Sequence, residues 1–344
     1  MAPLMQAIRT RNISSNSAEK SALYEGVVDT EWTYEGFPHG GFVLALMVDA
    51  ALQYQFDTAR KDLLHLSAHF LSTVKTGPCQ IRLSQLRSGQ SFHNTRAEFL
   101  QDGKVKITTL LLFGSFSSKE SATDHLTLTP ASPLARSIPI YLHPSQARAA
   151  KKIPQARFAP RMEWSFDPGP YQRNRRAYLS PPESTNDTDK PKAANGRIGG
   201  GGLEWSAWWD WKDDDVVLNA ATLSFFSDTF QRIPDLVAWA KESGDNVAWS
   251  YTTLVLNIEF KAPVPTGPHV SGHSVGLYAD GIFMRDGLHD GRVEIWTSPG
   301  RIGEASRTPG WREHQVCLAV ASQVTLATPL GGKDRTLKKP KTKL

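Results

Sequence analysis

The feature that most constrains this chain is that it repeats itself. His69 to Pro78 reads HFLSTVKTGP and Glu259 to Pro268 reads EFKAPVPTGP. At a constant offset of 190 residues, Phe70/Phe260, Val74/Val264, Thr76/Thr266, Gly77/Gly267 and Pro78/Pro268 are identical. Upstream of each copy lies an apolar stretch with an acid in the same place, LALMVDA at Leu44 to Ala50 and LSFFSDT at Leu223 to Thr229. Two ordered matches imply one structural unit used twice, which fits a length of 344 residues better than one large core.

Each half follows the same plan. An aromatic-rich strand, Leu23 to Trp32 or Leu203 to Trp211, precedes a helix over 41–59 or 218–239. The first helix is apolar nearly all round, the mark of a buried one. Strands follow: Leu64, Leu66, Ala68 and Phe70 alternate, as do Leu254, Leu256, Ile258 and Phe260, the period of a half-buried strand. Gln101-Asp102-Gly103-Lys104 reads as a hairpin turn, and the β-rich run Val105 to Phe116 has its counterpart in Val316 to Ala327. The expected fold class is α+β, with two antiparallel sheets each wrapped around a central helix. The expected divisions are a disordered N-terminus (1–20), a first unit (21–130), a partly disordered linker (131–202), a second unit (203–330) and a basic disordered tail (331–344). A further insertion, about Arg285 to Arg312, interrupts the second unit.

Composition excludes some classes of function. Six basic side chains against Asp334 in the last twelve residues account for the whole net charge of +5, so the body is neutral and offers no basic face to nucleic acid. The longest apolar run, Gly40 to Leu52, is broken by Asp49 and too short to span a bilayer. Cys79 and Cys317 form no disulfide framework, which fits a reducing compartment, and neither they nor the ten histidines show metal-ligand spacing. The N-terminus lacks the apolar core of a secretory signal and only weakly resembles a transit peptide. The expected location is the cytoplasm, with the terminal Thr342-Lys343-Leu344 as an imperfect peroxisomal address.

Several segments carry a family resemblance: Pro38-His39-Gly40-Gly41, Leu66 to Gly77, Arg87-Ser88-Gly89-Gln90, Gln101-Asp102-Gly103, Phe226-Ser227-Asp228, Thr253 to Pro263 and Ala319 to Gln323. In this order they resemble the double-hotdog proteins of the acyl-CoA thioesterase II type, in the version found among fungal thioesterase-like proteins. The resemblance covers about two thirds of the chain. It implies hydrolysis of an acyl thioester, in lipid metabolism, to free acid and coenzyme A by an activated water. It also implies a catalytic set of an aspartate on the second helix, a threonine on the next strand and a glutamine on a late strand: Asp228, Thr253 and Gln323. No cofactor or metal is implied, and the partner is an acyl-CoA or acyl-carrier substrate.

The chemistry is consistent with those residue types. Thioester hydrolysis needs a positioned water, a proton acceptor and donors for the developing oxyanion. A carboxylate can be the base, though a free Asp, with a pKa of about 3.9, needs help from its surroundings. Thr253 and Gln323 can hold the water from other sides. His39, Gly40 and Gly41 are the candidate substrate-binding residues, because free N–H groups at a helix start can serve an oxyanion. Thr252 competes with Thr253, since the two face opposite sides of a strand. Asp49 matches Asp228 but lacks the partners: Leu63 stands in place of Thr253 and Gln323 falls near Ser115, so one site per chain is expected and Asp49 is structural. The alternatives are release or transfer of an acyl or polyketide chain from a carrier protein in secondary metabolism, and a non-catalytic acyl-binding protein. A hydratase is disfavoured because no histidine lies near Asp228 in sequence. Assembly into a homo-oligomer is left open.

Overall fold

The computed structural model describes residues 2–116, 127–128, 131–150, 156–179, 202–241, 249–304 and 309–329. In chain order, the first half contains α1 (Leu4–Ala7), β1 (Arg11–Asn16), β2 (Ser21–Val28), β3 (Thr33–Tyr34), β4 (Phe37–Pro38), α2 (Gly40–Gln55), β5 (Asp62–Phe70), β6 (Gly77–Ser88), β7 (His93–Gln101) and β8 (Lys104–Gly114). β9 (Met162–Phe166) and α3 (Pro168–Leu179) follow. The second half contains β10 (Leu203–Trp211), α4 (Ala220–Phe226), α5 (Ile233–Lys241), β11 (Trp249–Phe260), β12 (Ser274–Gly281), β13 (Met284–Arg285), β14 (Leu288–Thr297) and β15 (Cys317–Pro329).

The repeat is visible in the topology. The halves run β2-β6-β7-β8-β5 and β10-β12-β14-β15-β11, the same order twice. The two sheets meet edge to edge within the chain: β5 and β11 pair antiparallel, from Val255↔His69 to Glu259↔His65, and join the halves into one 13-stranded sheet. The physical reason is that each strand would otherwise present a row of unpaired backbone groups at an edge. Both strands carry a bulge at the same place, at Leu64 in β5 and at Leu254 in β11, 190 residues apart.

Helix α2 is buried on nearly every side, as its composition requires, and packs against α4 and the first-half strands. The second helix does not run unbroken over 218–239. It stops at Phe226 and resumes as α5 at Ile233. Pro234 has no N–H to bond back to the Phe230 carbonyl, so a helix cannot run through this turn with its ladder intact, whereas a proline is tolerated in the first turn of α5. Inside the break, the Ser227 hydroxyl donates to the Ser224 carbonyl at 2.7 Å and the Thr229 hydroxyl to that of Phe225 at 2.8 Å, which closes the end of α4.

Three segmental expectations need correction. Residues 1–20 are not disordered where described: Leu4 and Ile8 bury into the core and β1 pairs with β2. The expected linker carries β9 and α3, and its Ile138, Ile140 and Ala147 pack with Trp208, Trp296 and Trp311. That layer explains why β10 is buried on both faces, with Trp205, Trp209 and Trp211 on one side and Trp208 on the other. The insertion begins later than Arg285, because β14 belongs to the repeated strand order. Residues 180–201 and the tail from 330 onward, including Thr342-Lys343-Leu344, lie outside the described residues.

Candidate functional site

The start of α2 and the break after α4 meet. Asp228 lies in that break, two residues beyond the helix on which the resemblance places it. Its Oδ2 accepts from the Gly41 N–H at 3.1 Å and its Oδ1 from the Gln323 amide at 2.9 Å. The same Gln323 amide donates to the Ser227 carbonyl at 3.2 Å, and its Oε1 accepts from the Thr325 hydroxyl at 3.3 Å. Gln323 is thus fixed at both ends of its amide, and it holds a carboxylate whose side chain is 15% exposed.

Glycine at 40 and 41 is a requirement of this approach. A Cβ on Gly41 would lie 2.4 Å from the Phe225 carbonyl oxygen, and one on Gly40 would lie 2.7 Å from Asp228 Oδ2. As the first residue of α2, Gly40 has no intrahelical acceptor for its N–H, and none among the described residues takes its place. A backbone donor therefore sits directly beside the carboxylate.

His39 lies 3.9 Å from Asp228 Oδ2, so the fold supplies the nearby histidine that the sequence separates by 189 residues. Its ring is already engaged. Nδ1 accepts from the Phe42 N–H at 3.2 Å, capping α2, and Nε2 donates to the Asp228 carbonyl at 3.1 Å. Both bonds suit the neutral ring, and burial pushes its pKa down against the opposing pull of Asp228. His39 thus caps the helix and holds the Asp228 backbone, with Gly40 and Gly41 beside the carboxylate.

The bulge at Leu254 settles which threonine shares a face with Gln323. Simple alternation from Leu256 would turn Thr252 inward. With the extra residue, Thr253 stands opposite Thr325, and both lie on the face of Gln323 and its partner Leu256. Thr252 is exposed. Among the described residues, no hydrogen bond joins Thr253 to Asp228 or Gln323, so the fold brings Asp228 and Gln323 into contact and sets Thr253 alongside. Sequence reasoning misses Thr325, although its place two residues after Gln323 on one strand is a legible signal. Neither cysteine is poised as a nucleophile, since burial pushes both thiols up to about 12. Among the described residues, no cluster of three or more His, Cys, Asp or Glu could hold a metal, and no helix is long and apolar enough to cross a membrane.

Comparison with known proteins bears on the fold that carries this geometry. Residues 28–114 match the family model described as the acyl-CoA thioesterase N-terminal domain. A protein from Thermobifida fusca described as a thioesterase II superposes with a TM-score of 0.64 at 16% identity, over 95% of this chain and 98% of that one. An acyl-CoA thioesterase II from Mycobacterium marinum gives 0.61 at 14%, over 96% and 100%. A hot dog fold protein of unknown function from Alicyclobacillus acidocaldarius gives 0.61 at 17%, over 94% and 97%. At such identities these likenesses establish the fold. In sequence, the chain is 28% identical over 152 residues to the ustilagic acid biosynthesis cluster protein orf2 of Mycosarcoma maydis, a match covering 41% of this chain and 40% of that protein.

The fold these comparisons define is the hotdog fold, built here on a large antiparallel sheet with few helices. Over residues 28–114 its sequence is similar to the acyl-CoA thioesterase N-terminal domain.

Proposed function

We propose that the protein hydrolyses an acyl-CoA thioester at a single site built on Asp228, with Gln323 and Thr253 beside it, and that residues 21–130 and 203–330 are its two hotdog units. The observation that carries this reading is the convergence at Asp228. One carboxylate is oriented by the Gln323 amide and the Gly41 N–H, and the unshared N–H of Gly40 lies next to it.

In this reading the thioester carbonyl oxygen accepts from the Gly40 N–H. A water held by the Asp228 carboxylate and the Thr253 hydroxyl loses its proton to Asp228 as its oxygen bonds to the carbonyl carbon. The tetrahedral oxyanion is stabilised by the backbone donor and by the positive end of α2. Its collapse breaks the carbon–sulfur bond, and the proton on Asp228 passes to the departing thiolate. The products are a free acid and a thiol, with Asp228 again ionised.

A hydratase would need a histidine free to exchange protons, and both nitrogens of His39 are committed to backbone groups. A second reading, hydrolytic release of an acyl chain from a carrier protein, uses the same chemistry. The relative named for a biosynthesis cluster favours testing it. Thiol release from short, medium, long and aromatic acyl-CoAs and from the same chains on a carrier protein, with wild type beside Asp228→Asn, decides between them. Turnover of CoA esters that is lost in the variant supports the first reading. Turnover of carrier-bound chains alone supports the second, and no turnover of either refutes both.

A further inference from the structure

Four residues beyond Asp228, the side chain of Arg232 is held between two aromatic rings. Its guanidinium carbon lies 4.4 Å from the centre of the Tyr34 ring and 4.3 Å from that of Tyr251. Glu35 completes the arrangement through a long contact of 3.5 Å to the guanidinium. Tyr251 is fixed in turn, its hydroxyl donating to Asp235 of α5 at 2.6 Å, while Gln231 donates to the other oxygen of Asp235 at 2.9 Å.

The three segments joined here are those that carry the proposed site. Tyr34 and Glu35 belong to the β3–β4 hairpin, which leads through Pro38 directly into His39-Gly40-Gly41. Arg232 closes the break that holds Asp228. Tyr251, two residues before Thr253, shares its strand face, and the bulge at Leu254 turns that face inward. Only the bulge makes this possible, since unbroken alternation would direct Tyr251 outward.

We infer that the Tyr34–Arg232–Tyr251 stack is a positioning device. It fixes the Asp228 loop against the start of α2 and against β11, so that carboxylate, Gly40 N–H and Thr253 stay in register. The inference rests on the proposed hydrolytic reading. A planar cation between two π-faces is suited to such positioning, because it resists sliding and tilting and is attracted to both rings. The Glu35 ion pair is a minor part, because both partners are partly exposed and such pairs contribute little.

The test compares kcat and KM for thioester hydrolysis in wild type, Asp228→Asn, Arg232→Ala, Arg232→Lys, Tyr251→Phe and Tyr251→Leu, with thermal melts as a folding control. Arg232→Ala is expected to lower kcat about tenfold and leave KM unchanged, the signature of lost orientation rather than lost binding. Arg232→Lys restores the charge but not the plane, and recovers little of the loss. Tyr251→Phe keeps the ring and most of the turnover. Tyr251→Leu matches Arg232→Ala, and combining the two costs no more than either alone, because each breaks the same stack. A raised KM at constant kcat in Arg232→Ala would mean that the arginine binds substrate directly, and full rescue by lysine would mean that charge alone matters; either overturns the inference. If Arg232→Ala melts at a much lower temperature, the folded Arg232→Lys protein carries the test through its kcat. Asp228→Asn separates the two levels: loss of turnover there with full kcat in the Arg232 variants refutes only the stack, whereas turnover unaffected in Asp228→Asn refutes the site itself.

Discussion

Asp49 and Asp228 stand at matching places in the two halves of a duplicated fold, and the chain has given them opposite surroundings. Asp228 is shared between halves, reached by Gly41 from α2 and Gln323 from β15. Asp49 is consumed locally. Its Oδ2 accepts from the Thr10 N–H at 2.8 Å, the Thr10 hydroxyl at 2.7 Å and the Gln53 amide at 2.7 Å. The helix starts differ in the same sense. At α4, Asn219 accepts from Ala221 and Thr222 in a closed capping box, whereas at α2 the cap takes Phe42 and leaves Gly41 for Asp228 and Gly40 without an acceptor among the described residues. The strand register completes the contrast. Leu256 stands opposite Gln323, and its counterpart Leu66 stands opposite Leu111, so an apolar residue fills the place of the glutamine, at a position other than the expected neighbourhood of Ser115. Duplication supplies two similar scaffolds, and a few polar choices give the carboxylate of the second half partners from both halves and that of the first half partners from its own half.

The sharpest way to break this comparison is to neutralise each aspartate in turn. Asp228→Asn should lower turnover on the order of 10²-fold or more, the usual cost of losing a general base, while Asp49→Asn should leave it intact. Equal losses, measured as thiol release, would mean that the halves are not differentiated as described. Gln323→Leu makes the second half resemble the first and removes one of the two donors to Asp228. A loss of about tenfold in kcat is expected, in line with one positioned hydrogen bond of about 1–2 kcal/mol, and unchanged turnover would show that the glutamine only packs.

The halves also differ in cover, and the difference carries a pH dependence. Asp210 of β10 lies under the added layer, where burial pushes its pKa up to about 6 although it accepts from the Ile302 N–H at 2.6 Å. A raised carboxyl pKa means that the folded state holds its proton more tightly than the unfolded state does. Asp210 therefore detracts nothing below the ordinary carboxylate range, and its cost grows as the pH rises from there through 6. Asp210→Asn should raise stability at pH 8 by about 2 kcal/mol and change little at pH 4. Urea titrations at the two pH values measure this, and a variant destabilised equally at both would contradict it. The smallest effect belongs to the first half: Thr10→Val removes one of three donors to Asp49 and should cost about 1 kcal/mol of stability with no change in kcat. A loss of turnover there would tie the N-terminal segment to the site.

Much of this was legible in the chain. The self-match at a constant offset reports the duplication, and the buried composition of Gly41 to Ala51 reports a helix without a solvent face. The acid within LSFFSDT is conspicuous because a carboxylate among apolar neighbours needs partners. Glycines at 40 and 41 mark a close approach, though not what approaches.

What only the tertiary structure decided is relational. Fusion of the halves through β5 and β11 depends on which edges meet, and alternation is the same in a free strand and a paired one. That Thr253 rather than Thr252 shares the face of Gln323 follows from one extra residue at Leu254, which periodicity cannot register because a bulge reverses every face beyond it. The end of α4 before Asp228 depends on hydroxyls folding back on carbonyls, and the clasp of Arg232 on contacts between residues 198 and 19 positions apart. Sequence specifies which groups must be buried and paired; the partners are fixed only when the chain closes on itself, because hydrogen bonds and ring stacks are set by distance in space.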